Sequence, residues 1–193
     1  DNNTGVGHYA LTANTTGANN TAVGAFALDA CTTGQLNVAV GVNALTALTT
    51  GEKNIAIGYN AGASITNSED TVSIGQQASE ALTTGDRNIA IGTRALEANT
   101  TANDNTAVGY LALTSCTTGS RNTAMGDRAL DALTTGNNNT CLGRETGSTL
   151  TTADGNTSIG YASLRDSSTG QYNTAVGRAS LLICNANSNT TFI

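Results

Sequence analysis

Short apolar triplets recur along the chain at even spacing: Thr-Ala-Val at 21–23, Val-Ala-Val at 38–40, Ile-Ala-Ile at 55–57 and again at 89–91. Each follows an Asn and precedes a Gly, as in Asn20 and Gly24. Alternate residues of an extended segment point to opposite faces, so Thr21 and Val23 share one face and Ala22 and Gly24 the other. Neither face carries charge, and the pattern predicts a strand covered on both sides. Beyond the Gly lies a second pattern: Ala27-Leu28, then Ala30 and Cys31, with Ala44-Leu45, Ala47 and Leu48 as the next example. Apolar residues at i, i+1, i+3 and i+4 fit a helical turn better than an alternating strand. A Thr-Thr-Gly corner ends the limb, as at Gly34, Gly51 and Gly85.

The unit never changes length. Gly stands at 7, 24, 41, 58, 75, 92, 109, 126, 143, 160 and 177, every seventeenth residue. Surface loops of a globular fold accept insertions. A stacked winding does not, because one added residue shifts every later side chain out of its column. Seventeen residues also cannot bury a core alone. The chain is therefore expected to be a β-solenoid, a parallel β-roll of eleven 17-residue coils, with one buried strand plus a short strand or helical turn per coil. At ~4.8 Å per coil the rod would be roughly 53 Å long. The Asn that opens each unit is expected to stack as an amide ladder, and the Gly to serve a backbone needing positive φ or close approach.

Residues 1–193 form one repeat domain, within which 20–104 and 105–189 look like copies of a five-coil block. Gly62 and Gly147 replace the Leu of the limb and lie 85 residues apart, as do Cys31 and Cys116. The two Gly sites are expected to make flat or notched patches on one face, or to be neutral.

Composition narrows the chemistry. The formal charge is −6, and residues 1–52 contain no Lys or Arg, which disfavours nucleic acid. No apolar run is long enough to cross a membrane, and without a leader pattern the chain reads as a mature segment or an excised piece. His8 is the only histidine, so a His-based triad or His-rich metal site is not expected. Asp29, Glu80, Glu97 and Asp131 read as solvated faces, and the Asn103–Asn105 and Asp154–Asn156 stretches as corner turns rather than Ca²⁺ loops. No enzyme activity, cofactor or metal is expected. Cys31, Cys116 and Cys184 share one register but are separated by five and four coils, far beyond the ~7 Å reach of a disulfide. With Cys141 they are expected to be buried thiols without an intrachain disulfide.

The recurring Asn-Thr-Ala-Val-Gly, Asn-Ile-Ala-Ile-Gly and Thr-Val-Ser-Ile-Gly resemble head repeats of trimeric autotransporter adhesins, the YadA-like left-handed parallel β-roll. The longer form with Ala-Leu and Thr-Thr-Gly is similar to repeats in bacteriophage tail or side fibres. The likeness spans Asn3 to Ile193, although the adhesin unit is usually shorter, near ~14 residues. It implies a left-handed homotrimer packed along a common axis, outside the cell or on a virion, that binds a host or bacterial surface protein or glycan. It carries over no binding residue, because the repeat motif is scaffold.

The expected function is an extracellular fibrous adhesin segment, both spacer and binding rod. Its candidate surface residues are the variable outward ones: Tyr9, Phe26, Tyr59, Arg94, Tyr110, Arg128, Arg144, Tyr161 and Arg178. The rival readings are a phage tail or side fibre, an ice-binding solenoid suggested by doublets such as Thr32-Thr33, and a self-stacking filament subunit suggested by the strand-like Asn189–Ile193.

Overall fold

The computed structural model describes residues 2–182 and 189–193, so the thiol expected at Cys184 lies outside the described residues. Its strands, β1 (Thr4–Val6) to β12 (Thr191–Phe192), form a single twelve-stranded sheet in sequence order. Every pairing is parallel and exactly one unit apart in register: Val38 lies beside Ile55, Ala39 beside Ala56 and Val40 beside Ile57. Each 17-residue unit is thus one full winding, stacked directly on its neighbour.

Only one face of each strand is internal. Ala22, Ala39, Ala56 and Ala90 are fully buried, whereas Val23, Ile57 and Ile91 on the other face remain 37–40% exposed. The strand expected to be covered on both sides is covered on one by its own chain.

The limb after the Gly is neither helix nor strand, which corrects both expectations for it. It is a chain of turns. Residues at two columns in it take left-handed φ: Phe26 and Leu28 at 58° and 50°, Asn43 and Leu45 at 58° and 50°. A side chain at such a φ costs roughly 1 kcal/mol or more. Inter-coil hydrogen bonds offset that cost. Phe26 N–H donates to His8 O below it, while Leu28 N–H donates to Ala44 O and Ala30 N–H to Thr46 O above it. The left-handed residues reverse the N–H direction, so the limb bonds to both neighbours, as a strand would, while following a curve. The spacing that suggests a helix arises because this curve turns Ala27, Leu28 and Cys31 inward together.

Asn forms the expected ladder. Asn122 Oδ1 accepts the Asn139 N–H at 3.0 Å and its Nδ2 at 3.1 Å, while Asn122 Nδ2 donates to Gly136 O at 2.8 Å. The side chain is fully buried, so these bonds replace water that cannot enter. The Gly that closes each strand serves both expected purposes: Gly75 sits at φ 131°, and a Cβ there would lie 2.6 Å from the Gly92 carbonyl. The Thr-Thr-Gly column serves only close approach, since Gly34 lies outside the left-handed region and a Cβ there would lie 2.5 Å from Gly51 O.

Gly62 and Gly147 make no patch on a face. Their column is internal, with Leu45, Leu96 and Leu130 fully buried in it. They interrupt the core instead. One apolar cluster ends at Leu82 and another begins at Ala78, close to where Gly62, Ser73 and Ser79 replace bulkier or apolar neighbours. The Ser73 and Ser79 hydroxyls are buried without a protein partner. At Gly147 the gap is filled differently, since a Cβ there would lie 3.0 Å from Cys141 Sγ. Cys141 stands where most coils have Ala, and its sulfur takes space that Leu occupies elsewhere. Gly147→Leu alone should therefore overpack the coil, costing about 1–3 kcal/mol in a urea melt. Adding Cys141→Ala, which restores the common pair, should recover most of that loss. Additive effects would contradict this coupling.

Candidate functional surfaces

The outward strand residues make one long stripe of two columns. The column through Val23, Val40, Ile57, Ile74 and Ile91 is apolar from Val6 to Val176; the column beside it is apolar from Val38 to Ile89 and Thr in the other coils, as at Thr21, Thr106 and Thr174. Stacked coils shield only the flanks of such side chains, so an exposure of 37% at Ile55 and 45% at Met125 leaves their tips fully open. One apolar side chain wide along ~53 Å, and two wide over the four coils from Val38 to Ile91, the apolar part covers on the order of 400 Å², within the range of the largest patches that monomeric proteins expose.

Two edges border this stripe. The corner after each strand carries all nine candidate surface residues. Tyr59, Tyr110, Arg144, Tyr161 and Arg178 stand directly after the Gly, and Tyr9, Phe26, Arg94 and Arg128 one residue later. All nine are exposed. The second column is the left-handed one, as at Tyr9 (φ 60°), Arg94 (58°) and Arg128 (53°), and this conformation throws the side chain outward. Stacking gathers residues that are remote in sequence. The Tyr9 and Phe26 rings stack at 5.4 Å, and the Arg144 and Arg178 guanidinium groups each lie 5.7 Å from the Tyr161 ring. Tyr59, Tyr110 and Tyr161 fall in one file three coils apart, ~14 Å between neighbours. Arg94 is held by Glu97 at 2.8 Å, and Arg144 by Glu145 at 2.6 Å and Asp127 at 3.5 Å.

The edge before each strand is built from corners. Asn103 Oδ1 accepts the Asp86 N–H at 2.7 Å and Asp154 Oδ1 the Asn137 N–H at 2.6 Å, so both stretches weighed as Ca²⁺ loops are corner turns that bind backbone. Among the described residues no group of three or more His, Cys, Asp or Glu is placed to hold a metal ion. Arg87 donates to Asp104 at 2.7 Å, which holds the Asp104 carboxyl below the usual carboxylate range.

The threonine doublets divide their work. Thr32 Oγ1 donates to Thr49 O and Thr83 Oγ1 to Thr100 O, while the second Thr of each doublet, as at Thr33 and Thr84, is exposed. Cys31, Cys116 and Cys141 are free and buried, and burial raises the Cys116 and Cys141 thiols to about 11 and about 12.

The carboxylates expected on solvated faces are instead half-buried and engaged. Asp29 accepts the Thr46 hydroxyl, and Glu80 accepts amides from Asn60 and Gln77. Asp131 is the exception: its Oδ1 is buried without a partner, and desolvation raises its pKa against the opposing pull of Arg128. A raised native pKa means the protonated form fits the fold better. That contribution is present below the ordinary carboxylate pKa of ~3.9 and is lost as pH rises through the native value. Asp131→Asn should therefore stabilise the protein at pH 7 by roughly a few tenths of a kcal/mol, discounted for partial solvation. The difference should vanish near pH 3 in paired thermal melts.

The fold and surfaces define a β-solenoid repeat protein with one apolar sheet face and two polar edges. Comparisons with protein-family models, curated proteins and solved structures found no match to this chain. Among the described residues no helix is long and apolar enough to cross a membrane.

Proposed function

We propose that this chain is a rod-forming segment of an extracellular fibrous adhesin of the trimeric autotransporter head type, in which three solenoids pack their apolar sheet faces together. The observation that carries this reading is the apolar column from Val6 to Val176 on the outer face of the sheet, widened by Val38, Ile55, Val72 and Ile89 beside it. Water-facing apolar area of that extent is stabilised by association. Three chains around an axis would hide the stripe and leave the Tyr and Arg edge outside, repeated three times at fixed spacing. The mechanism is geometric: the Asn, Gly and Leu columns set a stiff rod, and the variable residues after each Gly present chemistry to a surface.

The test is adhesion of beads coated with the purified segment to extracellular-matrix proteins and to bacterial cells. Retention on matrix supports the adhesin; retention on bacterial cells alone points to a phage fibre. A Tyr59→Ala, Tyr110→Ala, Tyr161→Ala variant should lose at least about ten-fold in retention, because aromatic anchors dominate such contacts. Unchanged retention, or none on either surface, contradicts the proposal.

A further inference from the structure

Side chains 85 positions apart are counterparts in the two five-coil blocks. Around Gly62 and Gly147 the counterparts differ in one direction. At Gly147 the room of a Leu is closed by Leu130, Leu150 and Cys141, whose atoms lie 3.0–3.1 Å from where a Cβ would stand. In the next coil Leu164 is buried in the same column, and the Ser158 hydroxyl lies 2.6 Å from that of Thr146. At Gly62 the first two walls are kept, with Ile65 at 2.9 Å and Leu45 at 3.1 Å. The remaining positions carry smaller residues: Ala56 where the other block has Cys141, Ser79 where it has Leu164, and Ala61 where it has Thr146. Ser73, the counterpart of Ser158, has its hydroxyl but not the group that bonds it.

Ser73 and Ser79 share this room. Strand and limb residues in this relation pack against each other within a coil: a Cβ at Gly5 would lie 3.6 Å from Leu11 Cδ1, and one at Gly147 would lie 3.0 Å from Cys141 Sγ. In most coils an Ala on the strand meets a Leu on the limb, as Ala90 meets Leu96. In this coil two serines meet, and a serine is too short to fill the place of a Leu. Both are fully buried, and neither hydroxyl bonds the other or any other protein group.

We propose that the core holds a binding site for an internal water molecule here, one that bridges the Ser73 and Ser79 hydroxyls above Gly62. A buried water takes ~30 Å³ and needs two to four polar partners. Ala56, Ala61, Gly62 and Ser79 leave the room, and two hydroxyls that can each donate and accept supply the partners. The occupant is water rather than an apolar molecule, because sites that stay dry are lined by apolar groups alone. The bridge ties together the two apolar clusters that part at this level. It lies on the inner face of the sheet, so it is independent of the face-packed assembly proposed above.

A crystal structure of the intact chain, at a resolution that shows ordered water, tests the site. The expected result is a water peak at hydrogen-bond distance, about 2.5–3.0 Å, from both hydroxyls. Two serines bonded to each other or to backbone, with no such peak, overturn the proposal. In Ser73→Ala with Ser79→Leu, which installs the pair found at Ala90 and Leu96, the peak should be gone. A peak that persists there belongs to other groups and overturns the bridge. Thermal melts give a second reading through their sign. Ser73→Ala alone should lower Tm by about 2–4 °C, because the water and Ser79 each lose a partner. A hydroxyl with nothing bound to it would behave oppositely: its removal relieves a buried polar group and raises Tm. A rise therefore overturns the proposal as well.

Discussion

Gly75→Ala is expected to destabilise the solenoid by about 3 kcal/mol or more, read as a fall in the urea midpoint of the far-ultraviolet signal. Two causes add. The φ of 131° is one that L side chains rarely adopt, and the new Cβ would lie 2.6 Å from both carbonyl atoms of Gly92. Neither can relax locally, because Gly92 is held against Gly109 in the same way. Gly34→Ala is the matched control. Its Cβ would also crowd the next coil, 2.5 Å from Gly51 O, but its φ is outside the left-handed region. That column already accepts Ser68, Ala102 and Ala153. Gly34→Ala should cost about 1 kcal/mol or less. Equal losses at the two sites would mean that crowding, rather than φ, fixes the strand-closing glycine.

The second large effect is expected at Asn122. Asn122→Ala strands the Asn139 N–H and the Gly136 carbonyl in a fully buried layer. At roughly 1–3 kcal/mol per unsatisfied buried group, the loss should be about 3 kcal/mol. The converse is available in the same ladder, where Thr71 interrupts the Asn column and offers a hydroxyl that bonds Glu69 O. Thr71→Asn should stabilise by about 1 kcal/mol. Thermal melts of the two variants should move in opposite directions. A neutral Asn122→Ala would show that the ladder follows the fold rather than supporting it.

Much of this architecture is legible in the sequence because stacking turns a linear period into vertical columns. The constant spacing of Gly24, Gly41 and Gly58 suffices to place Val23, Val40 and Ile57 side by side, and they are. The Asn ladder follows from the same logic. The limb does not, because a spacing of apolar residues reports which side chains turn inward and not which backbone path turns them. Left-handed Leu28 and Leu45 carry no local signal, since Leu is an unfavourable choice there and only inter-coil hydrogen bonds make it tolerable. Gly62 and Gly147 mislead for a related reason, because their column faces inward only once that path is known. The surface candidates sit in one region because every variable position after the strand Gly falls on one corner. Their ring and cation contacts depend on side-chain directions that the period leaves open. Asp131 carries no sequence signal of its half-buried state.

The face-packed assembly is tested most directly by light scattering of the intact chain under native conditions. The account predicts a mass near three times the 19.4 kDa chain, persisting at dilution and shifted downward when Ile57 and Ile91, in the middle of the stripe, are replaced by Lys. A single-chain mass for the unmodified protein, with its stripe open to water at all concentrations, would contradict it.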